Sequence, residues 1–374
     1  MEKKHQKLKT WVEISKKSVK SNLRLIRSLL GKNCRLMAVV KSNAYGHGFQ
    51  TMTEEVLKAK ADWLGVDDLD EALCARKINR HVPILVFGYI PPARLLEAAR
   101  AGISVTISNF EALAIARRLS SLKIHIKVDT GLGRQGFLPR EAIRVARVLK
   151  KNRVIIEGVY SHFASVENPR NIKYSCRQAS TLMRFAKVLK TDGYNPLVHI
   201  ASSAAVLLYP EFHLDMVRSG ISVYGLWPSE EIKKLGEKRG LKLKPALTWK
   251  TIVSEVKTLP KGSGVGYDLS VHLKRKTRIA VLPVGYWHGY PRSLSNRGVV
   301  LVRGQKARVL GRVCMDMAMI NVSDISGVRR GDEVVLIGRQ GKREISVEEL
   351  AKRAGTINYE IVTRINQDIQ KVYN

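Results

Sequence analysis

Short apolar runs alternate with amphipathic stretches over residues 34–226, and this alternation constrains the fold more than any other feature of the sequence. The runs are rich in Val, Ile and Leu, which is typical of strands buried on both faces of a parallel sheet. Eight runs qualify, the number of strands that closes a (β/α)8 barrel. They lie at residues 36–40, 63–66, 84–87, 104–107, 124–128, 157–162, 198–201 and 216–218. We therefore expect an α/β fold with an N-terminal barrel of the TIM type.

The pattern changes beyond about residue 240, where alternating strands are separated by turns that contain glycine. This is typical of antiparallel β structure, expected here at 247–256, 279–284, 298–302, 309–313 and 334–337. A helix is expected at 346–354, because Ser346 and Glu349 form a capping-box pattern. We expect the barrel at residues 9–240 and a mainly antiparallel C-terminal β domain at 241–374, with residues 1–8 associated with the second domain. Residues 235–244, rich in Lys and Gly, are interpreted as the linker.

Lys and Arg outnumber Asp and Glu by 65 to 32, which leaves a formal net charge of +33. A strongly basic surface favours nucleic acid, because phosphate contacts release counterions. The basic residues are scattered in twos and threes, however, with no long basic block and no interleaved aromatic residues. We interpret most of this charge as solvated surface and expect no specific nucleic-acid partner.

The 4 cysteines lie far apart without a C-x-x-C pair, so neither a disulfide framework nor a zinc site is indicated, and no metal is expected. Residues 1–10 are basic, and no apolar segment follows them as in a signal peptide. No apolar run approaches the roughly 18 residues that a membrane span needs. These features predict a cytoplasmic protein without a membrane partner.

Residues that can carry chemistry follow the predicted strands, at the ends that converge on the mouth of a barrel. Lys41 follows the first strand and Arg134 the fifth, and others follow the later strands: His162 the sixth, His199 and Ser203 the seventh, and Arg218 the eighth. This coincidence over five strands predicts one active site at the barrel mouth.

Lys41 is a candidate for covalent chemistry. An ammonium group at the end of a buried strand must find a partner, lose its charge or carry a covalent adduct. A lysine that forms an imine meets this requirement. A lysine that extends from the barrel rim into solvent meets it equally well.

Residues 131–136 match the pattern G-x-G-x-x-G of dinucleotide-binding proteins. That fingerprint belongs to the opening βαβ unit of a doubly wound sheet, whereas this segment follows the fifth strand. We interpret it as a loop that presents Arg134 to an anionic group. Ser203, Gly220 and Ile221 are candidates for binding a phosphate through a hydroxyl and backbone N–H groups. A helix-capping role for Ser203 is compatible with that function.

Ordered motifs over nearly the whole chain resemble alanine racemases, the fold-type III enzymes that depend on pyridoxal 5′-phosphate (PLP). The resemblance implies interconversion of L-alanine and D-alanine in a homodimer, supplying D-alanine for peptidoglycan synthesis. The motifs are TWVEI at 10–14, AVVKSNAYGHG at 38–48, KVDTGLGR at 127–134, SHFA at 161–164, VRSGI at 217–221, VGYD at 265–268, GY at 285–286, GRVCMD at 311–316 and GTINYE at 355–360.

The resemblance implies two catalytic bases. Lys41 would bind PLP covalently and, once freed by substrate, act on D-alanine, while Tyr267 would act on L-alanine. Racemisation requires bases on opposite faces, because one removes the Cα proton and the other returns a proton from behind. Tyr267 and Met315 would reach the barrel mouth of the other subunit, so that the active site is shared within the dimer.

The resemblance also implies the binding residues. Arg134 and Met315 would bind substrate, and Lys127 would be carbamylated to hold Arg134. Arg218 would face the pyridine nitrogen of PLP and leave it unprotonated, because an arginine does not give up a proton. The cofactor-binding positions would be Lys41, Tyr45, His162, Ser203, Arg218, Gly220, Ile221 and Tyr359.

Two alternatives stay open. A broad-specificity racemase or a serine racemase on the same fold would differ only in pocket contacts. A non-catalytic PLP-binding protein of cofactor homeostasis is a rival from another class, although such proteins are usually single barrels.

Trp287 and His288 stand where the family usually has a small residue and an aspartate. This departure implies a differently shaped entrance to the active site.

Overall fold

The computed structural model describes residues 8–150 and 154–374, and the chain divides into two compact units. The barrel unit comprises Ser18–Ala44 and Phe49–Pro245. The β unit comprises the described residues up to Lys17, Tyr45–Gly48 and Ala246–Asn374. Within the described ranges, no helix is both long enough and apolar enough to cross a bilayer.

The first strand, β1 (Thr10–Ile14), belongs to the β unit, and the next eight form the barrel. From β2 to β8, each barrel strand pairs in parallel with the next strand along the chain, and β9 pairs in parallel with β2. All eight predicted strands and the TIM-type barrel are confirmed. The strands are β2 (Arg35–Val39), β3 (Trp63–Val66), β4 (Ile84–Val86), β5 (Ser104–Ile107), β6 (Lys123–Lys127), β7 (Ile155–Tyr160), β8 (Leu197–His199) and β9 (Met216–Ser219).

The β8 and β9 segments close the barrel through backbone hydrogen bonds. The Asp215 N–H donates to the Val198 carbonyl at 3.1 Å, and the Arg218 N–H donates to the Ala201 carbonyl at 3.0 Å. Strands β3 and β4 are buried at every residue. Continuous burial explains why these strands consist of uninterrupted apolar runs rather than alternating ones.

Helices connect the barrel strands, as the amphipathic stretches predict. Asn109 is the N-cap of the helix Phe110–Ala116, because its side chain accepts the Ala112 N–H at 2.8 Å. The helices of this region are Lys16–Ser28, Phe49–Lys58, Leu69–Ile78, Leu95–Arg100, Phe110–Ala116, Ala142–Lys150, Ile172–Thr191, Ser203–Leu208 and Glu230–Lys238. Short 3-10 turns lie at Pro92–Arg94, Pro139–Glu141, Pro169–Asn171, Pro210–Phe212 and Ile221–Tyr224.

The linker predicted at 235–244 overlaps a helix in its first four residues. The helix Glu230–Lys238 begins at the N-cap Ser229 and runs into this segment. A Cβ at Gly236 would lie 2.4 Å from the Trp227 ring, so the glycine permits close packing rather than flexibility. Asn22 then fixes the following residues, because its side chain both accepts the Lys244 N–H and donates to the Lys244 carbonyl.

The β unit contains a mainly antiparallel sheet, as predicted. Its strands follow the order β11-β12-β15-β14-β13-β16-β10-β1-β18, with β17 beside β16 and one parallel pair between β1 and β18. The strands are β10 (Leu247–Ile252), β11 (Glu255–Leu259), β12 (Thr277–Leu282), β13 (Val299–Val302), β14 (Gln305–Leu310), β15 (Ala318–Asn321), β16 (Glu333–Gln340), β17 (Arg343–Ile345) and β18 (Lys371–Tyr373).

Helices Val347–Ala354 and Asn358–Thr363 complete the β unit, with short turns at Tyr267–Leu269, Tyr286–His288 and Arg292–Leu294. The N-cap predicted at Ser346 is confirmed, since its hydroxyl accepts the Glu349 N–H at 3.0 Å.

The boundary between the two compact units differs from the predicted domain boundary between residues 240 and 241. Strand β1 pairs with β10 over five residues and so lies in the second sheet, while residues 241–245 lie with the barrel unit. The expectation for residues 1–8 falls almost entirely outside the described part of the chain.

Candidate active site

Lys41 lies at the mouth of the barrel unit, two residues after β2. Its Nζ atom lies 2.8 Å from Asp67 Oδ1, and Asp67 directly follows the neighbouring strand β3. The Lys41 side chain is 36% exposed, so the amine is accessible from the mouth. The next residues, Ser42, Asn43, Ala44 and Tyr45, all have φ between 53° and 55°. A left-handed conformation costs L residues roughly 1–2 kcal/mol each, so specific contacts must hold this turn.

Glu71 supplies such contacts from the helix Leu69–Ile78. Its carboxylate accepts the Asn43 N–H at 3.3 Å and the Asp67 N–H at 3.0 Å. Burial raises the pKa of Glu71 above its ordinary value, although the N–H groups of Asp67, Asn43 and Ser42 oppose the shift. One carboxylate therefore fastens the segments that carry both members of the Lys41–Asp67 pair.

Arg218 is buried on β9, next to β2 in the barrel. One terminal nitrogen donates to His199 Nδ1 at 2.7 Å. The other donates to the carbonyls of Ser161 and Ile200 and to His162 Nδ1. No carboxylate in the described ranges lies within ion-pair distance of this guanidinium. Burial lowers the pKa of Arg218 to about 10, so the group is still a cation at neutral pH.

His162 is a neutral partner of that cation. Burial, and then the charge of Arg218, hold the pKa of His162 well below its ordinary value. Since Nδ1 accepts from Arg218, the single proton of this imidazole lies on Nε2. The Nε2–H group of His162 is therefore not used in the contact with Arg218 and can donate to another group.

The candidate phosphate-binding residues come together at the ends of β8 and β9. Ser203 begins the helix Ser203–Leu208, and its Oγ accepts the Gly220 N–H at 3.1 Å. Gly220 precedes the turn Ile221–Tyr224, and the buried Ser219 hydroxyl beside it has no hydrogen-bond partner among the described residues. Hydroxyl and N–H donors at these two strand ends fit a phosphate.

The loop that carries Arg134 is organised by Asp129. Its carboxylate accepts the N–H groups of Gly131, Leu132, Gly133 and Arg134. Burial raises the pKa of Asp129, but the four N–H donors outweigh it and leave the pKa below its ordinary value. These N–H groups already bind a carboxylate, so they are not free to cradle a pyrophosphate. The glycine pattern thus serves a structural loop, with Arg134 exposed.

Lys127 is buried on β6 and lies over an aromatic ring. Its Nζ atom is 4.3 Å from the centroid of the Tyr160 ring. Burial, followed by the charges of Arg218 and Arg134, lowers the pKa of Lys127 well below its ordinary value, with Asp129 opposing. This environment favours the neutral, nucleophilic amine.

The β unit carries the remaining predicted residues. Tyr267 is 69% exposed, and the next residue, Asp268, pairs with Arg312 at 2.7 Å. Met315 is also exposed, and its carbonyl accepts the Trp287 N–H at 3.0 Å. Tyr45 lies in this unit as well, with its ring centroid 6.2 Å from that of Tyr359. The predicted residues are therefore divided between the two units.

Sequence reasoning missed Asp67, Glu71 and His125. Asp67 directly follows a barrel strand, so the rule that located Lys41 applied to it as well. His125 lies two residues before Lys127 on β6, and alternation places both side chains on the same face of the strand. The contact of Glu71 with the turn after Lys41 had no sequence signal, because it joins residues on different elements.

A (β/α)8 barrel with Lys41 and a buried Arg218 at its mouth, together with a mainly antiparallel unit, defines a barrel enzyme of the racemase class. The family profile "Alanine racemase, N-terminal domain" matches residues 14–228, and "Alanine racemase, C-terminal domain" matches residues 246–373. The chain belongs to the alanine racemase family, an isomerase family whose members are PLP-dependent.

Individual relatives agree over the full length. Alanine racemase of Halothermothrix orenii is 42% identical over 97% of this chain and 96% of its own length. The alanine racemase structure from Bacillus anthracis, with bound L-Ala-P, has a TM-score of 0.91 and 36% identity, covering 98% of this chain and 95% of that one. Histidine racemase from Leuconostoc mesenteroides has a TM-score of 0.87 and 30% identity, covering 98% of each chain.

Proposed function

We propose that this chain interconverts L-alanine and D-alanine with PLP bound covalently to Lys41. The observation that carries the proposal is the placement of Lys41 and the buried Arg218 at the ends of the adjacent strands β2 and β9. The accessible Lys41 amine and the Arg218 guanidinium, which has no carboxylate partner among the described residues, suit a cofactor that carries an aldehyde, a pyridine nitrogen and a phosphate.

The residues present fit that cofactor. Ser203 and Gly220 lie in contact at the ends of β8 and β9, beside the unpartnered hydroxyl of Ser219. We assign the phosphate to Ser203, Gly220 and Ile221, with Tyr45 and Tyr359 as further candidates. Arg218 would donate to the pyridine nitrogen, with His162 supporting it through their hydrogen bond.

When bound, PLP withdraws electrons from the substrate Cα and so weakens its bond to hydrogen. Lys41 would take or return the proton on one face, and the Tyr267 hydroxyl on the other. Arg218 already has neutral partners and keeps its proton at neutral pH, because its pKa is about 10. It would therefore orient the ring without donating a proton to it.

Arg134 and Met315 would bind the substrate, with the Arg134 guanidinium near the substrate carboxylate. We propose that Lys127 is carbamylated and holds Arg134. The neutral amine would attack the carbon of CO₂, an N–C bond would form, and the nitrogen would release one proton, leaving a carbamate anion. Burial supports this step, since it favours the neutral amine of Lys127. A carbamate resonance in the ¹³C NMR spectrum with ¹³CO₂, absent in Lys127→Ala, would support it; its absence from the unsubstituted chain would rule it out.

We also propose a homodimer in which Tyr267 and Met315 of one subunit complete the site of the other. Large exposed apolar side chains on the β unit support this arrangement, since an interface between subunits would remove them from water. They are Tyr267, Leu269, Trp287, Met315 and Met317, each more than half exposed. A role in supplying D-alanine for peptidoglycan and a cytoplasmic location belong to the same proposal and rest on the family.

The decisive experiment combines a visible absorption spectrum with racemisation assays on L-alanine and D-alanine. We expect absorption from lysine-bound PLP, lost in Lys41→Ala, and faster turnover of alanine than of serine or histidine. Serine tests the broad-specificity alternative, and histidine is included because a histidine racemase shares the fold. A chain that binds PLP without racemising any amino acid would favour the homeostasis role. A chain that never binds PLP would overturn the proposal.

A further inference from the structure

Three side chains form a hydrogen-bonded row inside the barrel unit. Arg218 donates to His199 Nδ1 at 2.7 Å, and His199 Nε2 lies 2.9 Å from His125 Nδ1. All three are buried, and both imidazoles are fully so. The row connects the cation at the end of β9 to a histidine on β6, across the interior of the barrel.

The row allows only one arrangement of protons. Arg218 can only donate, so His199 Nδ1 must carry a lone pair. Burial, and then the charge of Arg218, hold the pKa of His199 well below its ordinary value and lower that of His125 to about 3, so both rings are neutral. His199 therefore carries its proton on Nε2 and donates it to His125 Nδ1. His125 is left with Nε2–H, which has no hydrogen-bond partner among the described residues.

The surrounding residues leave room for this arrangement. A Cβ at Gly158 would lie 2.2 Å from His125 Nδ1, the atom that receives the His199 proton. The Tyr160 ring stacks on His199 with centroids 4.8 Å apart and an interplanar angle of 1°. Gly158 and Tyr160, both on β7, therefore pack against the two imidazoles of the neighbouring strands β6 and β8.

We propose that His125 is a positioning residue for Arg218. By accepting the His199 Nε2–H, it selects the tautomer that turns a lone pair toward the guanidinium. Without this acceptor, His199 would leave a buried N–H unpaired, or change tautomer and direct N–H toward the N–H groups of Arg218. The change of tautomer removes an acceptor from Arg218, and the cost of a buried, unpaired N–H favours that change. The consequence for PLP rests on the proposed function, in which Arg218 faces the pyridine nitrogen.

The tautomers can be measured in the full-length chain without cofactor. Long-range ¹H–¹⁵N spectra of the chain labelled at histidine distinguish protonated from unprotonated ring nitrogens. We expect His199 and His125 both to be protonated at Nε2 alone, with assignments from single substitutions. Protonation of His199 at Nδ1 would overturn the inference, whatever the chain binds.

The link to Arg218 can be tested by PLP dissociation constants. We expect His125→Leu and Gly158→Ala to weaken PLP binding about tenfold, the effect of losing one hydrogen bond to a charged group. His125→Asn keeps an acceptor oxygen near the Nδ1 position and should stay within about threefold of the unsubstituted chain. His213→Asn is the matched control, since His213 is a buried histidine of the same unit whose ring bonds the Val206 carbonyl.

The outcomes separate the two proposals. Weaker binding in His125→Leu with recovery in His125→Asn would support the positioning role. Unchanged binding in His125→Leu, or an equal loss in the His213 control, would overturn it. Failure of the unsubstituted chain to bind PLP would contradict the proposed function alone, because the tautomers are read without cofactor.

Discussion

Lys41 Nζ lies 2.8 Å from Asp67 Oδ1, and the two residues follow the neighbouring strands β2 and β3. The amine must leave this carboxylate before it can bond to a cofactor. Both side chains are partly exposed, at 36% and 51%, so the ion pair is a modest barrier rather than a fixed structural element.

Asp67→Asn is expected to speed the covalent attachment of PLP about two- to fivefold, the range that follows from the energy of an exposed ion pair. Stopped-flow absorbance after mixing the cofactor-free chain with PLP measures this rate. Asp68→Asn is the control, because Asp68 caps the next helix through the Glu71 N–H and asparagine is an equally good cap. A slower or unchanged rate in Asp67→Asn would show that the pair does not oppose attachment.

Glu71→Ala is expected to lower the free energy of unfolding by about 2–3 kcal/mol, because it removes an acceptor of two backbone N–H groups. The free energy of unfolding of Glu71→Gln should lie between those of Glu71→Ala and the unsubstituted chain, since the amide keeps one acceptor oxygen. Urea titration measures both variants, and borohydride trapping with peptide mapping shows whether PLP still attaches to Lys41. Asp70→Ala on the same helix removes only a surface contact with Arg94 and should cost under about 1 kcal/mol.

Tyr267→Phe is expected to abolish proton removal from L-alanine while the absorption of lysine-bound PLP survives. In the proposed mechanism the phenol supplies one of the two bases, and exchange by Lys41 on D-alanine would not need it. Exchange of the Cα proton with deuterium from solvent, followed separately for each enantiomer, gives the readout. Equal losses for the two enantiomers would contradict the division of roles.

Mixing Lys41→Ala with Tyr267→Phe protein is expected to restore some activity. In a shared site, one of the two sites of a mixed dimer regains both bases, which gives up to about a quarter of normal activity for random exchange of subunits. Subunit exchange is verified by native mass spectrometry. Mixed dimers that form without any activity would argue that each subunit supplies its own Tyr267.

Acidification is expected to destabilise the chain between pH 7.5 and 5.5. Burial lowers the pKa of His125 to about 3 and holds those of His162 and His199 well below the ordinary value. The unfolded imidazoles bind protons below about pH 6.5 and the folded ones do not, so stability is lost as the pH falls through that value. The loss continues toward pH 3 for His125.

The slope contributed by each histidine approaches about 1.4 kcal/mol per pH unit below pH 6.5. His125→Asn should remove the contribution of one histidine, about 1.4 kcal/mol per pH unit, from the slope of the unfolding free energy against pH. Urea titrations at a fixed protein concentration measure it. Asp129 contributes only below its ordinary pKa of 3.8, outside this window. An unchanged slope in His125→Asn would mean that His125 titrates normally.

The barrel strands were predictable because short runs rich in apolar and β-branched residues alternate with amphipathic stretches, and this alternation is a local property of the sequence. A local signal also located the helix cap at Ser346. Local signals did not show that a helix extends into residues 235–244, where Gly236 indicates a close approach to Trp227 rather than a flexible linker. They also missed β1 and β18, which are short and pair with each other from opposite ends of the chain.

The sequence alone determined the fold class, the number of barrel strands and the placement of Lys41, His162 and Arg218 at strand ends, because these follow from periodicity and from the geometry of parallel barrels. Only the tertiary structure decided which groups touch. The Glu71 contact with Asn43 and the row from Arg218 through His199 to His125 join residues 19 to 74 positions apart. Hydrogen bonds between such residues depend on strand order and side-chain direction, which no local pattern encodes.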